Sequence, residues 1–443
     1  MSTIYALSTV FGKSGVAVIR ISGPSAVEVI KQMTDIKIEN IKPREAYFTK
    51  IKDFVSRESV DMSLLIYFKS PNSFTGEDIV ELHTHGSKAV IHSVLNSLSQ
   101  IKNFRIAEPG EFSKRAFYNN KMDLTEAEGL ADLIDSETSE QQKYALRQME
   151  GNLKNLYEGW REDIIGVLSY LEAYIDFPEE DIPESLKDNI LNTVFKLKEE
   201  IQSHLNSDSI GERLRDGFRV VIVGPPNAGK SSLLNVLANR EAVIVSDIEG
   251  TTRDAVDIHL DIKGYPVTFT DTAGLREAEE EIEKKGIEIT HSKLDNADLI
   301  LAMYDASKDS VHVFDSIKNR LKNSVLYIAN KSDKSSTSSL QNKDEVIQIS
   351  AKQKTGIDEL LDSIYHIIKD KFNSNSGLII TRHRYRQSLE KTLDNLEKFN
   401  LNNEIELAAE DIRLAAREMG KITGKIEVDD ILNKIFGDFC IGK

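Results

Sequence analysis

The sequence predicts a multidomain α/β chain. An α+β N-terminal domain is followed by an all-α helical domain, which an inserted α/β domain divides in two. Three observations predict this. The stretch FRVVIVGPPNAGKSS at 218–232 reads as strand, glycine loop and helix. Helical periodicity flanks it on both sides. Ahead of the first helical block, short β-like runs alternate with turn residues. A length of 443 residues suits about three domains, each able to bury its own core. The boundaries fall at 1–121, 122–211, 212–375 and 376–443.

In the first domain, GVAVIRI at 15–21 and SLLIYF at 63–68 are strand candidates, punctuated by Pro43, Pro71, Gly76, Pro109 and Gly110. Gly12-Lys13-Ser14 imitates the end of a phosphate loop but lacks its first glycine. His83 and His85, in ELHTHG, point to one side of a strand. With no cysteine near in sequence, two such ligands do not make a zinc site.

From Asp123 the period turns helical. Leu130, Leu133 and Ile134 form one stripe; Leu146, Met149, Leu153, Leu156 and Trp160 form another, continued by Ile164, Leu168 and Leu171. Pro178 and Pro183 in FPEEDIP break the run. Beyond about Gly377 the helical period returns through Leu389, Leu393 and Leu396, then from Ile405 to Ala416, then at Ile431, Leu432 and Ile435. Two helical blocks around one α/β block fit a single helical domain carrying an insertion, because domain termini lie close together.

Within the insertion, G-x-x-x-x-G-K-S runs from Gly224 to Ser231 between a β-branched strand and a helix. Its glycines let successive N–H groups turn toward a phosphate. The helix N-terminus adds partial positive charge, Lys230 adds a full one, and the Ser231 hydroxyl can ligate Mg²⁺. Ala228, Gly229 and Ser232 complete the cradle. Asn227 can act as a turn former or lend its side-chain oxygen to a monovalent cation, which would stand in for an arginine finger. Downstream, YPVTFTDTAG ends a strand at Asp271-Thr272-Ala273-Gly274, where the carboxylate can join the Mg²⁺ shell and the glycine can offer an N–H to a γ-phosphate.

VLYIANKSD ends another strand at Asn330-Lys331-Ser332-Asp333. A carboxylate at Asp333 accepts two parallel N–H bonds from the ring nitrogen and amine of guanine, a pair that adenine lacks. Ser350-Ala351-Lys352 follows a further strand and can set a backbone N–H on the guanine carbonyl. Four elements in this order predict a GTP-binding domain. SDIEGTTRD at 246–254 falls where a switch segment belongs, with Thr251 or Thr252 as a second Mg²⁺ ligand. Arg253 can serve as an internal arginine finger or pair with Asp254. Leu275 follows DTAG, so the usual water-orienting glutamine is absent, and the acidic run 277–283 offers substitutes.

Composition limits the partners. The formal net charge is −16, so any nucleic-acid contact needs a local basic patch or a partner protein. Charged residues make up 29% and no apolar run nears ~18 residues, which speaks against a membrane span. One cysteine, Cys440, allows no intrachain disulfide and suits a reducing cytoplasm. That cysteine reads equally as a nucleophile or redox group and as a small apolar residue beside Phe439.

With these residues in view, the chain closely resembles the MnmE (TrmE) family of tRNA-modification GTPases over essentially its whole length. The resemblance rests on GPPNAGKSS, SDIEGTTRD, DTAGLRE, NKSD, VAVIRISGP, ELHTHG, NNKMDL and the terminal FCIGK. It implies a folate-binding-like N-terminal domain, a discontinuous helical domain and an inserted Ras-like P-loop G domain. It further implies K⁺ held by Asn227, Ser246, Ile248 and Thr251, with Asp247, Glu249 and Gly250 in the same switch. Mg²⁺ would fall to Ser231 and Thr252, and Glu283 would orient the attacking water. Arg20, Glu81, Lys121 and Lys443 would surround a tetrahydrofolate derivative (formyl- or methylene-). A pterin offers Glu81 the same N–H and amine pair that guanine offers Asp333.

The implied activity is K⁺-stimulated GTP hydrolysis by a homodimer working with a flavin-dependent MnmG (GidA) family protein. Together they would place a carboxymethylaminomethyl or aminomethyl group on the wobble uridine of tRNA. Pro225 and Ser87 depart from the family pattern, which often has a basic residue and a glycine there. Two rival readings are a ribosome-assembly GTPase, which calls for an RNA-binding appendage not found here, and a folate enzyme with a merely regulatory G domain.

Overall fold

The computed structural model describes residues 2–176, 183–206, 210–240, 257–271, 296–308, 324–334, 346–373, 378–426, 435–437, 439 and 442. The chain forms two compact units. One gathers Met1–Ala131, Gln148–Asp163 and Ala416–Lys443; the other gathers Asp132–Arg147 and Ile164–Ala415.

The first unit is built on a mixed sheet of β1 (Thr3–Leu7), β2 (Ser14–Ser22), β3 (Ala46–Lys52), β4 (Ser59–Phe68), β5 (Ile79–Gly86) and β6 (Phe104–Ile106), in the order β3-β4-β5-β2-β1-β6. Among the described residues of this sheet, only β1 and β6 pair in parallel. The two strand candidates read from sequence lie inside β2 and β4. Strand alternation decides what each face carries. Ile19, Ile21, Leu65, Val80 and Leu82 turn to a buried face with Val29, Ile30 and Met33 of α1 (Glu28–Met33) and Val94 and Leu98 of α2 (Lys88–Ser99). Glu81 and His83, one residue out of phase on β5, therefore stand on the other face. Ser87, the departure noted above, caps α2 by accepting from Val90 N–H, which a glycine side chain cannot do.

The chain's end joins this unit. Phe436 and Phe439 pack with Leu124 and Ala127 of α4 (Leu124–Ile134) and with Phe117 of α3 (Glu111–Tyr118). Gly110, at φ +64°, admits them closely: a Cβ there would lie 2.4 Å from the Phe436 carbonyl oxygen. The Ser8 hydroxyl donates to Gly442 O at 3.1 Å.

The second unit holds the other sheet: β7 (Phe218–Val223), β8 (Asp257–Ile262), β9 (Tyr265–Asp271), β10 (Leu299–Asp305), β11 (Ser324–Asn330) and β12 (Val346–Gln348), ordered β12-β11-β10-β7-β9-β8. All pair in parallel except β8 with β9. A central parallel strand is covered on both faces and so is continuously apolar; β10 is buried at every residue. One face packs on α9 (Lys230–Ala238) and α10 (Ile357–Asn373) through Leu233, Leu237, Leu360 and Ile364.

The helical segments are α5 (Ser139–Met149), α6 (Asn152–Asp176), α7 (Glu184–Leu205), α8 (Ile210–Asp216), α11 (His383–Lys398) and α12 (Ile405–Thr423). Leu389, Leu393 and Leu396 are buried on α11, which packs against α7, where Ile190, Val194 and Leu197 are buried. The stripe from Leu146 to Trp160 is not continuous. Gly151, at φ +83°, ends one helix and rephases the next, leaving Leu146 40% exposed while Leu153 and Trp160 are buried. Ile134, read as part of a core stripe, is 37% exposed at the end of α4. Ile431 and Leu432 lie outside the described residues. No described helix is long and apolar enough to cross a membrane.

His204, in the last turn of α7, is pushed down to about 4 by burial and, second, by the charge of Arg386. Its imidazole is neutral in the folded chain, whereas in the unfolded chain it protonates around the ordinary 6.5. A base with a depressed folded pKa stabilises the fold above its unfolded pKa, and the gain is lost as pH falls toward the folded one. The loss amounts to about 3 kcal/mol at most. Denaturant unfolding between pH 6.5 and 4 should therefore show a shallower loss of stability in His204→Gln than in the unsubstituted protein. Parallel pH profiles would contradict this.

Candidate functional site: the nucleotide loop and the Arg20–Glu81 face

β7 delivers its last residue, Val223, into the loop 224–229, and α9 leaves it at Lys230. The loop needs its glycines for clearance. A Cβ on Gly224 would lie 2.0 Å from Met303 O, and one on Gly229, at φ +99°, 2.2 Å from Asn330 Nδ2. Asn227 takes φ +64°, a left-handed conformation that asparagine accepts more readily than most residues. Ala228 is buried beneath the loop. Lys230, 8% exposed as a residue, donates from its ammonium to the carbonyls of Gly224 (2.9 Å) and Pro225 (3.1 Å), at the edge of the loop. Orphan N–H groups at the start of α9 face the same way.

The register of β7 against β9 sets Ile222 opposite Asp271. This puts the Asp271 carboxylate beside the first turn of α9, where the Ser231 hydroxyl donates to Asp271 Oδ2 at 3.0 Å. A hydroxyl and a buried carboxylate in contact beside a phosphate loop are a hard-oxygen pair of the kind Mg²⁺ takes. Ser232, one residue on, is exposed.

Asn330 ends β11 and is 2% exposed. Its amide spans two loops: Nδ2 donates to Ala228 O (2.7 Å), and Oδ1 accepts from Ala351 N–H (3.1 Å). Asn330 thus anchors the Ser350-Ala351-Lys352 loop, from which a backbone N–H toward a guanine carbonyl is expected, through Ala351 N–H. Lys331, at φ +64°, extends over the loop, donating to Asn227 O (2.8 Å) and to Asp305 Oδ2 (2.6 Å). Burial would raise the Asp305 pKa, but bonds from Lys331 and Ser307 more than offset it and bring the carboxyl to about 2. The buried Ser350 hydroxyl donates to Asp333 Oδ1 at 2.7 Å. That bond is the main reason the exposed Asp333 carboxyl lies below its ordinary value. Asp333 therefore presents an oriented, ionised carboxylate at the end of β11.

Asp305 and Met303 carry no sequence signal for these roles; only the β10–β11 and β10–β7 registers bring them in. Of the residues read as nucleotide or cation contacts, Ser246, Asp247, Ile248, Glu249, Gly250, Thr251, Thr252, Thr272, Ala273, Gly274 and Glu283 lie outside the described residues, as do Arg253, Cys440 and Lys443.

In the first unit, Arg20 and Glu81 are cross-strand partners on β2 and β5. Arg20 Nε donates to Glu81 Oε1 at 2.9 Å, and His83 Nε2 lies 3.2 Å from Oε2. The Arg20 guanidinium is flanked by the rings of Phe74 (5.4 Å) and Phe112 (5.8 Å), a cation–π setting. Burial would raise the Glu81 pKa, but His83 and Arg20 outweigh it and hold the carboxyl below its ordinary value. Lys121 lies beside the turn that holds Phe74 and Gly76. Phe74 of that turn meets Arg20, and Gly76 lies where a Cβ would be 3.2 Å from Lys121 Cε. Ser22, two residues beyond Arg20, ties the turn down through Thr75 at 2.7 Å. Phe74 and Phe112 carried no sequence signal. His85 pairs separately with Asp61 Oδ1 at 2.8 Å. Each Glu81 oxygen keeps a second lone pair.

The chain matches the model of the MnmE helical domain over residues 124–440 and that of the GTP-binding protein TrmE N-terminus over residues 3–121. It is 45% identical to "tRNA modification GTPase MnmE" of Rickettsia akari (strain Hartford) over 447 aligned positions, covering 100% of both chains. The protein of the same name from Rickettsia rickettsii (strain Sheila Smith) is 46% identical over 447 positions, again covering 100% of both. The G domain of the T. maritima FeoB iron transporter aligns at 22% identity over 34% of this chain and 98% of its own. The TM-score is 0.27.

Proposed function

The chain belongs to the MnmE (TrmE) family, and on that premise we propose that it hydrolyses GTP in the service of tRNA modification. The observation that carries this reading is the Asn330 amide, which joins the phosphate loop at Ala228 to the base loop at Ala351. One buried side chain thereby makes a triphosphate cradle and a guanine reader into a single site. Lys230 and the first N–H groups of α9 neutralise the β- and γ-phosphates. Ser231 and Asp271 hold Mg²⁺, and Asp333 selects guanine. Thr252 completes the metal shell, and Glu283 orients the water that Leu275 cannot.

Asn227, Ser246, Ile248 and Thr251 would hold K⁺, which would supply positive charge to stabilise the charge that builds up in the transition state. Arg20, Glu81, Lys121 and Lys443 bind a formyl- or methylene-tetrahydrofolate as the one-carbon donor. With a flavin-dependent MnmG (GidA) family partner, the protein puts a carboxymethylaminomethyl or aminomethyl group on the wobble uridine of tRNA. A net charge of −16 supports a division of labour in which the partner contacts most of the tRNA phosphates. The domains span 1–121, 122–211, 212–375 and 376–443, with the third inserted between the helical halves. The working form is a cytoplasmic homodimer. Phe48, Met62 and Leu64, exposed by 69%, 40% and 41% on one side of the β3–β4 pair, support such self-association.

The test is GTP hydrolysis in K⁺ and in Na⁺ at equal ionic strength, with Asn227→Ala alongside. The reading predicts at least tenfold stimulation by K⁺, lost in the variant. Equal rates in both salts would sink the cation's role and move Arg253 to first place.

A further inference from the structure

We infer that His83 is a positioning residue for ligand recognition by Glu81: its Nε2–H fixes the carboxylate plane that grips a pterin edge. The inference rests on the folate reading of this face and goes beyond it, since neither the motif nor the family resemblance assigns His83 a role. A carboxylate that must accept two parallel N–H bonds works only if both oxygens lie in the plane of the incoming heterocycle, within about 10–20°. Glu81 has a side-chain partner on each oxygen. Arg20 Nε holds Oε1 at 2.9 Å from β2, and His83 Nε2 holds Oε2 at 3.2 Å from its own strand, β5. Arg20 is itself fixed between Phe74 and Phe112, the latter fully buried. His83 is the other half of the brace.

Its placement follows from the pleat. Residues 81 and 83 share a face because strand side chains alternate with period two, and their cross-strand neighbours there include Val18 and Leu64. These cross-strand neighbours are apolar, and Nε2 lies within hydrogen-bond reach of Glu81 Oε2. The bond requires the proton on Nε2, which makes His83 a donor. Each Glu81 oxygen then has one lone pair engaged by the protein and one left for the ligand. This differs from a metal pair with His85, whose ring is engaged by Asp61.

The experiment is isothermal titration of the full chain with 5-formyltetrahydrofolate, comparing the unsubstituted protein with Glu81→Gln, His83→Leu and His83→Gln. Thermal unfolding is recorded for each. Gln keeps an N–H donor where Leu has none. The expected result is a loss of about a hundredfold or more in affinity for Glu81→Gln and about tenfold for His83→Leu, with His83→Gln within about threefold of the unsubstituted protein. Unsubstituted affinity in His83→Leu, beside a weakened Glu81→Gln, overturns the role of His83 and leaves the folate reading standing. So does equal weakness of the Leu and Gln variants, which would assign the effect to ring packing. If His83→Leu is thermally destabilised, restoration of affinity by Gln decides the question. No binding by the unsubstituted protein, or full affinity in Glu81→Gln, overturns the folate reading and this inference together.

Discussion

Lys230→Met should lower the rate of GTP hydrolysis by about a hundredfold or more. The ammonium is the one full positive charge within the loop itself, and removing a preorganised charge from a phosphoryl-transfer site costs on that order. Methionine keeps the length and apolar stem, so the change is mainly electrostatic. Lys230→Arg should rescue little. The site is bounded by the Gly224 and Pro225 carbonyls at 2.9 and 3.1 Å, and a planar guanidinium does not occupy the position of a compact ammonium. Methionine also leaves those carbonyls without this donor, so a lower melting temperature should accompany the kinetic loss. Single-turnover hydrolysis at a temperature where the variant is folded separates the two effects. A folded methionine variant turning over within a few-fold of the unsubstituted rate would remove Lys230 from the chemistry.

Asp333→Asn should exchange one base for another. Guanine offers a ring N–H and an amine, which suit a carboxylate with two acceptors. Xanthine has a carbonyl where guanine has the amine, so it suits an amide with one acceptor and one donor. Affinity for GTP should fall about a hundredfold or more, because an unmatched polar pair is penalised far more than a missing apolar contact. Affinity for xanthosine triphosphate should rise above that for GTP in the same variant. The Ser350 hydroxyl, which orients Asp333 Oδ1 at 2.7 Å, can hold an amide oxygen in the same way, so the plane of the group survives the exchange. Competition binding with the two nucleotides measures the switch. Equal loss of both would mean that Asp333 organises its loop without reading the base.

The strand–loop–helix at 218–232 is legible in the sequence because its chemistry is local. Glycines at fixed spacing, a β-branched run and a helix start can be recognised within fifteen contiguous positions. NKSD and the DTAG strand were legible for the same reason, as were the buried Leu389, Leu393 and Leu396 of α11, whose spacing of three and four marks one helix face. The stripe from Leu146 to Trp160 misled because periodicity carries across a break that one left-handed glycine, Gly151, then rephases.

What no motif carried is how the parts are joined. Asn330 lies 102 positions from Ala228, and its amide is spent on the protein's own backbone. Lys331 finds Asp305 because β10 and β11 run in parallel register. Ser231 meets Asp271 because β7 and β9 do the same. In the first unit, Phe74 and Phe112 flank Arg20 from a turn and a helix that sequence spacing does not connect to it. Backbone conformations and hydrogen-bond donors within a loop depend on adjacent residues, so the sequence alone was enough to identify the chemistry. The partner of each charged or amide group depends on sheet register, which long-range packing sets, so only the tertiary structure could decide which groups meet.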